Sequence, residues 1–131
     1  QTLFVIPAGA DRELRVANTH YLPHHHSYFH PDLVAACDAV IGKVGYSTIA
    51  ETYWAGVPFG YISRQGFRES AEMTAFIRAN MPGLEISQEE FELGEWPDRI
   101  GDLLQLHPVQ RTGENGAGQI AEYLAGRGFI M

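Results

Sequence analysis

Short apolar runs of β type alternate along this chain with helical stripes. Residues 2–6 (Thr-Leu-Phe-Val-Ile) form an apolar, β-rich run closed by Pro7 and Gly9, which predicts a buried strand and a loop behind it. A weaker strand pattern over 16–22 ends at Pro23. Residues 32–37 predict a short helix, with Pro31 where a first helical residue tolerates proline and Asp32 in the positive first turn. Residues 38–42 predict an apolar strand ending in Gly42. From Ser47 the pattern turns helical, with Ile49, Ala50, Tyr53 and Trp54 on one stripe and Gly56 as the stop. A strand is predicted over 58–62, a loop over 63–68 and a helix over 69–80. That helix carries Met73, Phe76 and Ile77 on its apolar face, and Pro82-Gly83 stops it. Residues 84–86 fit a last short strand, and Ser87 with Glu90 is a capping-box signature. Amphipathic helices follow over 96–106 and 118–126, separated by a polar loop over 107–116. Strands alternating with helices predict an α/β fold, a parallel sheet with helices on both faces.

Composition narrows the function classes. At 131 residues and 14.6 kDa the chain fits one domain, 1–131. Hydrophobic residues at 45% and charged residues at 19% describe a globular chain, neither disordered nor fibrous. A net charge of −7 argues against a basic nucleic-acid surface, so no nucleic-acid partner is expected. One cysteine excludes an internal disulfide framework and fits a reducing cytoplasm, and no apolar stretch reaches the roughly 18 residues of a membrane span. The chain opens at Gln1 directly on a strand-like run, so a fragment of a longer protein is expected.

The segment richest in chemistry is 36–51, where an apolar strand runs through Gly42 and Gly45 into a helix that opens with Ser47 and Thr48. Glycines there let a backbone approach a ligand and take positive φ. The first helical turn offers N–H groups and a positive dipole end, suited to a phosphate. Ser47 and Thr48 add hydroxyl donors. Glu51, one turn deeper, is placed to accept hydrogen bonds from vicinal ribose hydroxyls. A plainer reading stays open from the pattern: Ser47 or Thr48 as an N-cap, and Thr48-x-x-Glu51 as a capping box.

The stretch 32–58, DLVAACDAVIGKVGYSTIAETYWAGVP, resembles the nucleotide-sugar signature of GT-B glycosyltransferases. The similarity is to the peptidoglycan N-acetylglucosaminyltransferase type, with its family 28-like C-terminal domain. Asp38, Gly45, Thr48, Glu51, Gly56 and Pro58 match in order and spacing. The resemblance implies a Rossmann-like domain, the C-terminal half of a GT-B fold. It further implies that the first strand, its glycine-rich loop and the N-terminal acceptor domain lie outside this chain. The implied donor is a nucleoside-diphosphate sugar, UDP-sugar by type, and the acceptor is an unspecified hydroxyl. Gly45, Tyr46, Ser47 and Thr48 would meet the diphosphate, and Glu51 would bind the ribose 2′- and 3′-hydroxyls. No cofactor or metal is implied, because helix N–H groups and hydroxyls stabilise the departing diphosphate. The catalytic base would belong to the missing half.

The loop after the strand predicted over 58–62 would face the donor sugar. Its Arg64-x-x-Phe67-x-Glu69 form is closer to bacterial glycosyltransferase-like domains, some of them joined to sugar kinases. Arg64 or Arg68 would offset diphosphate charge, and Phe67 and Glu69 would face the sugar. A solvated loop with a carboxylate at a helix start is the competing reading. Two other functions stay open beside transfer: an epimerase or hydrolase of nucleotide sugars, and a noncatalytic nucleotide-sugar-binding module fused to another enzyme.

Five of six histidines, His20, His24, His25, His26 and His30, crowd into eleven positions. Zinc ligation is weighed there, but Pro23 and Pro31 interrupt any helix and no ligand-type spacing is present. Structural or base-contacting roles are expected instead. Cys37, between an apolar helix and a strand, reads as a small buried hydrophobe.

Overall fold

The computed structural model describes residues 2–63, 66–114 and 116–129. The chain divides into two compact units, 1–33 and 34–131.

In the first unit β1 (Phe4–Ala10) runs parallel to β3 (Thr19–Pro23), and β2 (Leu14–Val16) pairs antiparallel with β3. The register of β1 shifts between Ile6 and Ala10, where Ala8 adopts φ 56. Strand pairing therefore resumes beyond Pro7 and Gly9, past the end predicted from those residues. The pattern over 16–22 is split by a hairpin turn at Ala17–Asn18, and Val16 belongs to β2. Leu22 and His20 are buried, and His20 Nε2 lies 2.7 Å from Glu13 Oε1. α1 (His30–Ala35) leads from the first unit into the second.

The second unit is α/β. Strands β4 (Val40–Lys43), β5 (Phe59–Ile62) and β6 (Gly83–Ile86) form a parallel sheet in the order β4-β5-β6. They are joined by α2 (Tyr46–Ala55) and α3 (Ser70–Asn80). All four residues of β5 are buried, as expected of a parallel strand covered on both faces. Phe59 and Tyr61 face one side, packing in one cluster with Val44, Ile49, Met73, Ile77 and Met81, so α2 and α3 cover that face. Each such side chain contributes about 1.5–3 kcal/mol by leaving water. The opposite face is closed by α5 (Ile100–Leu104). A Cβ built on Gly60 would lie 3.2 Å from Leu103 and 3.1 Å from both Ile41 and Ile86. Helices thus flank both faces, in the Rossmann-like arrangement that the alternation predicts.

The two helices on the cluster side end differently. α2 stops at Gly56, whose φ of 69 places it in the left-handed region, with its N–H donating to the Thr52 and Tyr53 carbonyls. Val109 N–H then donates to the Gly56 carbonyl at 2.8 Å. A Cβ on Gly56 would lie 1.8 Å from the Val109 carbonyl oxygen. The stripe on α2 is also rotated from expectation. Ile49 and Thr52 are its buried residues, while Trp54 is 46% exposed. Thr52 tolerates burial because its hydroxyl donates to the Thr48 carbonyl at 2.6 Å.

α4 (Gln88–Glu92) opens with the expected capping box: Glu90 N–H to Ser87 Oγ at 3.0 Å and Ser87 N–H to Glu90 Oε2 at 2.7 Å. Residues 96–106 form a 3₁₀ turn at Trp96–Arg99 followed by α5, in place of the continuous helix predicted there. α6 (Gly116–Gly126) starts two residues earlier than expected. Among the described residues no helix is long and apolar enough to cross a membrane.

Two outcomes follow from these contacts. Gly56→Ala combines left-handed strain with a backbone clash and should cost about 2 kcal/mol or more. A urea titration of both proteins checks this. Glu90 is held at about 2, below the ordinary 4.5, by the Ser87 backbone N–H, then by Arg99 and the Ser87 hydroxyl. Its stabilising contribution is therefore complete above pH 4.5 and lost as pH falls through about 2. Urea midpoints measured from pH 5 to pH 2 should fall more steeply for the parent than for Glu90→Gln.

Candidate functional site

The turn between β4 and α2 begins at Val44, which is fully buried and donates its N–H to the Ile62 carbonyl at 3.1 Å. That anchor decides where the chain leaves the sheet. Gly45 follows as the N-cap of α2, with extended backbone (φ −156, ψ 147) and no side chain capping the helix. The first intrahelical bond runs from Ile49 N–H to the Gly45 carbonyl at 2.9 Å. The N–H groups of Tyr46, Ser47 and Thr48 precede that bond and have no partner within the helix.

This geometry corrects the capping reading. Ser47 and Thr48 lie inside the first turn, neither is the N-cap, and Thr48-x-x-Glu51 does not form a capping box. Glycine also works here differently from the expectation of positive φ. Neither Gly42 nor Gly45 has it. A Cβ on Gly45 would meet nothing within 4 Å, so open space lies over the start of the helix. Tyr46 and Ser47 are exposed, Thr48 and Glu51 half-buried. Glu51 lies one turn further along, as the spacing predicts.

Among the described residues, the segment before α3 meets this turn at Tyr46. Tyr46 hydrogen-bonds to Glu69, the N-cap residue of α3. That bond, with burial and the carboxylate charge adding to it, pushes the Tyr46 hydroxyl above its ordinary pKa. Two helix starts, each following a parallel strand at its C-terminal end, are thereby linked. Open α/β sheets bind their ligands at such edges. Phe67, Arg68 and Glu69 are exposed. The Phe67 carbonyl accepts from Ser70 N–H at 3.0 Å. The expectation for Arg64 lies outside the described residues. Lys43, at the end of β4, is exposed.

The other weighed residues fall elsewhere. His24 and His25 meet edge to face at 4.9 Å between ring centroids, and His26 lies beside Tyr28. Among the described residues no group of three or more His, Cys, Asp or Glu is placed to hold a metal. Cys37 is half-buried, and burial followed by the Asp38 charge raises its thiol pKa, the opposite of an activated nucleophile.

Sequence reasoning missed the hollow between α2 and α3. Ala50 was expected in the core beside Ile49, yet it is exposed and lines this open groove. Tyr53 packs against the core cluster as expected and also lines the groove, with Tyr46 and, from α3, Glu72 and Phe76. The i, i+4, i+7 spacing of Tyr46, Ala50 and Tyr53 was the available signal.

Gly45→Ala separates fold from site. The extended backbone suits alanine, and the reduced freedom of the unfolded chain roughly offsets alanine's poorer N-cap preference, each by about 0.5–1 kcal/mol. Thermal unfolding should therefore be almost unchanged. Affinity for inorganic pyrophosphate, measured by calorimetry, should fall at least about fivefold, the methyl group blocking approach to the amides.

Among curated proteins, L-arabinokinase from Arabidopsis thaliana is similar to this chain, 31% identical over 94 residues. The similarity covers 72% of the chain but only 9% of that protein's length. No family model matches the chain, and no solved structure matches it.

Proposed function

We propose that this chain binds a nucleoside-diphosphate sugar, UDP-sugar by type, as the donor domain of a glycosyltransferase with GT-B-like architecture. The observation that carries the reading is the start of α2. Three successive N–H groups without helical partners stand behind an open glycine, at the C-terminal end of a parallel strand. A diphosphate there accepts from the amides and from the Ser47 and Thr48 hydroxyls. As the sugar–phosphate bond breaks, the charge gathering on the leaving diphosphate is met by dipoles already in place. Glu51, one turn along, accepts from the ribose hydroxyls. Arg68 offsets diphosphate charge, while Phe67 and Glu69 meet the sugar. The acceptor hydroxyl and its base come from elsewhere in a longer protein. With one cysteine, the reading places the domain in a reducing cytoplasm.

A second reading is favoured by the similarity to L-arabinokinase, a protein whose name gives it a sugar as substrate and kinase chemistry. Under it the domain is a noncatalytic nucleotide-sugar-binding module within a larger sugar-phosphorylating protein. Both readings use the same site and differ in turnover. The full-length protein releases UDP from UDP-sugar and acceptor only under the first.

Binding at this site is tested by two substitutions and two ligands. Glu51→Gln should weaken UDP binding by about 1–3 kcal/mol, the scale of a hydrogen bond to a charged group, and leave pyrophosphate binding unchanged. Thr48→Val should weaken both. Calorimetry reads all four, and equal losses for both ligands in Glu51→Gln would remove Glu51 from the ribose.

A further inference from the structure

The groove between α2 and α3 encloses about 450 Å³, within the range of small-molecule sites. Three aromatic rings surround it: Tyr46 and Tyr53 from α2, and Phe76 from α3. Ala50, the small residue between the two tyrosines, makes the hollow, and Met73 closes its base. Tyr46 and Phe76 are 64% and 42% exposed, so the rings are not spent on the core.

One charged side chain stands in the described lining of the groove. Glu72, in the first turn of α3, is the only charged residue among its described lining, and it has no ion-pair partner among the described residues. The Arg111 guanidinium carbon sits 3.7 Å over the Tyr53 ring centroid, so one face of that ring already holds a cation, and the rings of Tyr46 and Phe76 are left to receive another. An aromatic hollow with a single carboxylate is complementary to an apolar body bearing one positive charge. It disfavours anions, and a neutral ligand can offer the carboxylate a hydrogen bond but no opposite charge.

The geometry points to a binding site for a small organic cation, an aryl- or alkylammonium, in the α2–α3 groove. This site shares Tyr46 with the proposed anion-binding start of α2, using its ring where that site uses its amide, and takes a ligand of the opposite charge.

Three probes of similar size test the assignment by methyl and amide NMR: benzyltrimethylammonium, benzyl alcohol and 3-phenylpropionate. The expected result is saturable shifts at Ala50 and Met73, with the cation binding at least about fivefold tighter than either other probe. Glu72→Gln should reduce the cation's affinity about three- to tenfold and leave the alcohol's unchanged. Ala50→Phe, a change at an exposed position, should fill the hollow and abolish the shifts while the remaining spectrum stays folded. Equal affinity for all three probes, or an unaltered cation affinity in Glu72→Gln, overturns the proposal. So do concentration-dependent shifts of the groove without any probe, which would assign it to a second copy of the chain.

Discussion

Burial of β5 on both faces is the constraint from which the second unit follows. Phe59 and Tyr61 require the cover of α2 and α3, and Gly60 lets Leu103 of α5 approach the other side. A parallel strand buried in this way must be reached by crossover helices, so each helix that follows a strand starts at the same edge of the sheet. α2 follows β4 and α3 follows β5. Their N-termini are brought to one edge by topology alone, before any side chain contributes to a site. The Tyr46–Glu69 hydrogen bond then links the two starts.

Where α2 begins is decided inside the sheet as well. Val44 is fully buried and bonded to Ile62, so the chain turns outward at Gly45. The helix therefore begins with Tyr46, ahead of the residues whose hydroxyls resemble caps. With glycine at the N-cap in place of a side-chain acceptor, α2 forgoes about a few tenths of a kcal/mol of stability. The same omission leaves those N–H groups without a side-chain partner at the helix start, the geometry an anion site requires.

Much of this was legible in the sequence, and the failures have physical causes. Continuous apolar runs and period-3.6 stripes located β4, α2, β5, α3 and β6 to within about two residues, because both sheet faces are covered and the apolar signal is strong. The capping box at Ser87 and Glu90 formed as its pattern predicts, yet the same pattern at Thr48 and Glu51 did not. Ser87 directly follows the end of β6, whereas the α2 boundary is set by the long-range burial of Val44. Trp54 was expected in the core because its hydrophobicity outranks that of Thr52. Thr52 is buried instead, its hydroxyl satisfied by its own helix. The meeting of Tyr46 with Glu69, and the groove lined by residues of α2 and α3, join positions some twenty residues apart. The spacing of Tyr46, Ala50 and Tyr53 marks one wall of the groove, but no local pattern encodes its pairing with α3.

The central claim is that the uncapped start of α2 receives the diphosphate of a nucleotide. Backbone amide chemical shifts recorded during a UDP titration address it most directly. The account predicts the largest saturable shifts at the amides of Gly45, Tyr46, Ser47 and Thr48, with smaller ones around Glu51. A titration that leaves these amides unmoved, or whose shifts centre on the histidine-rich stretch from His20 to His30 and require zinc, would contradict it.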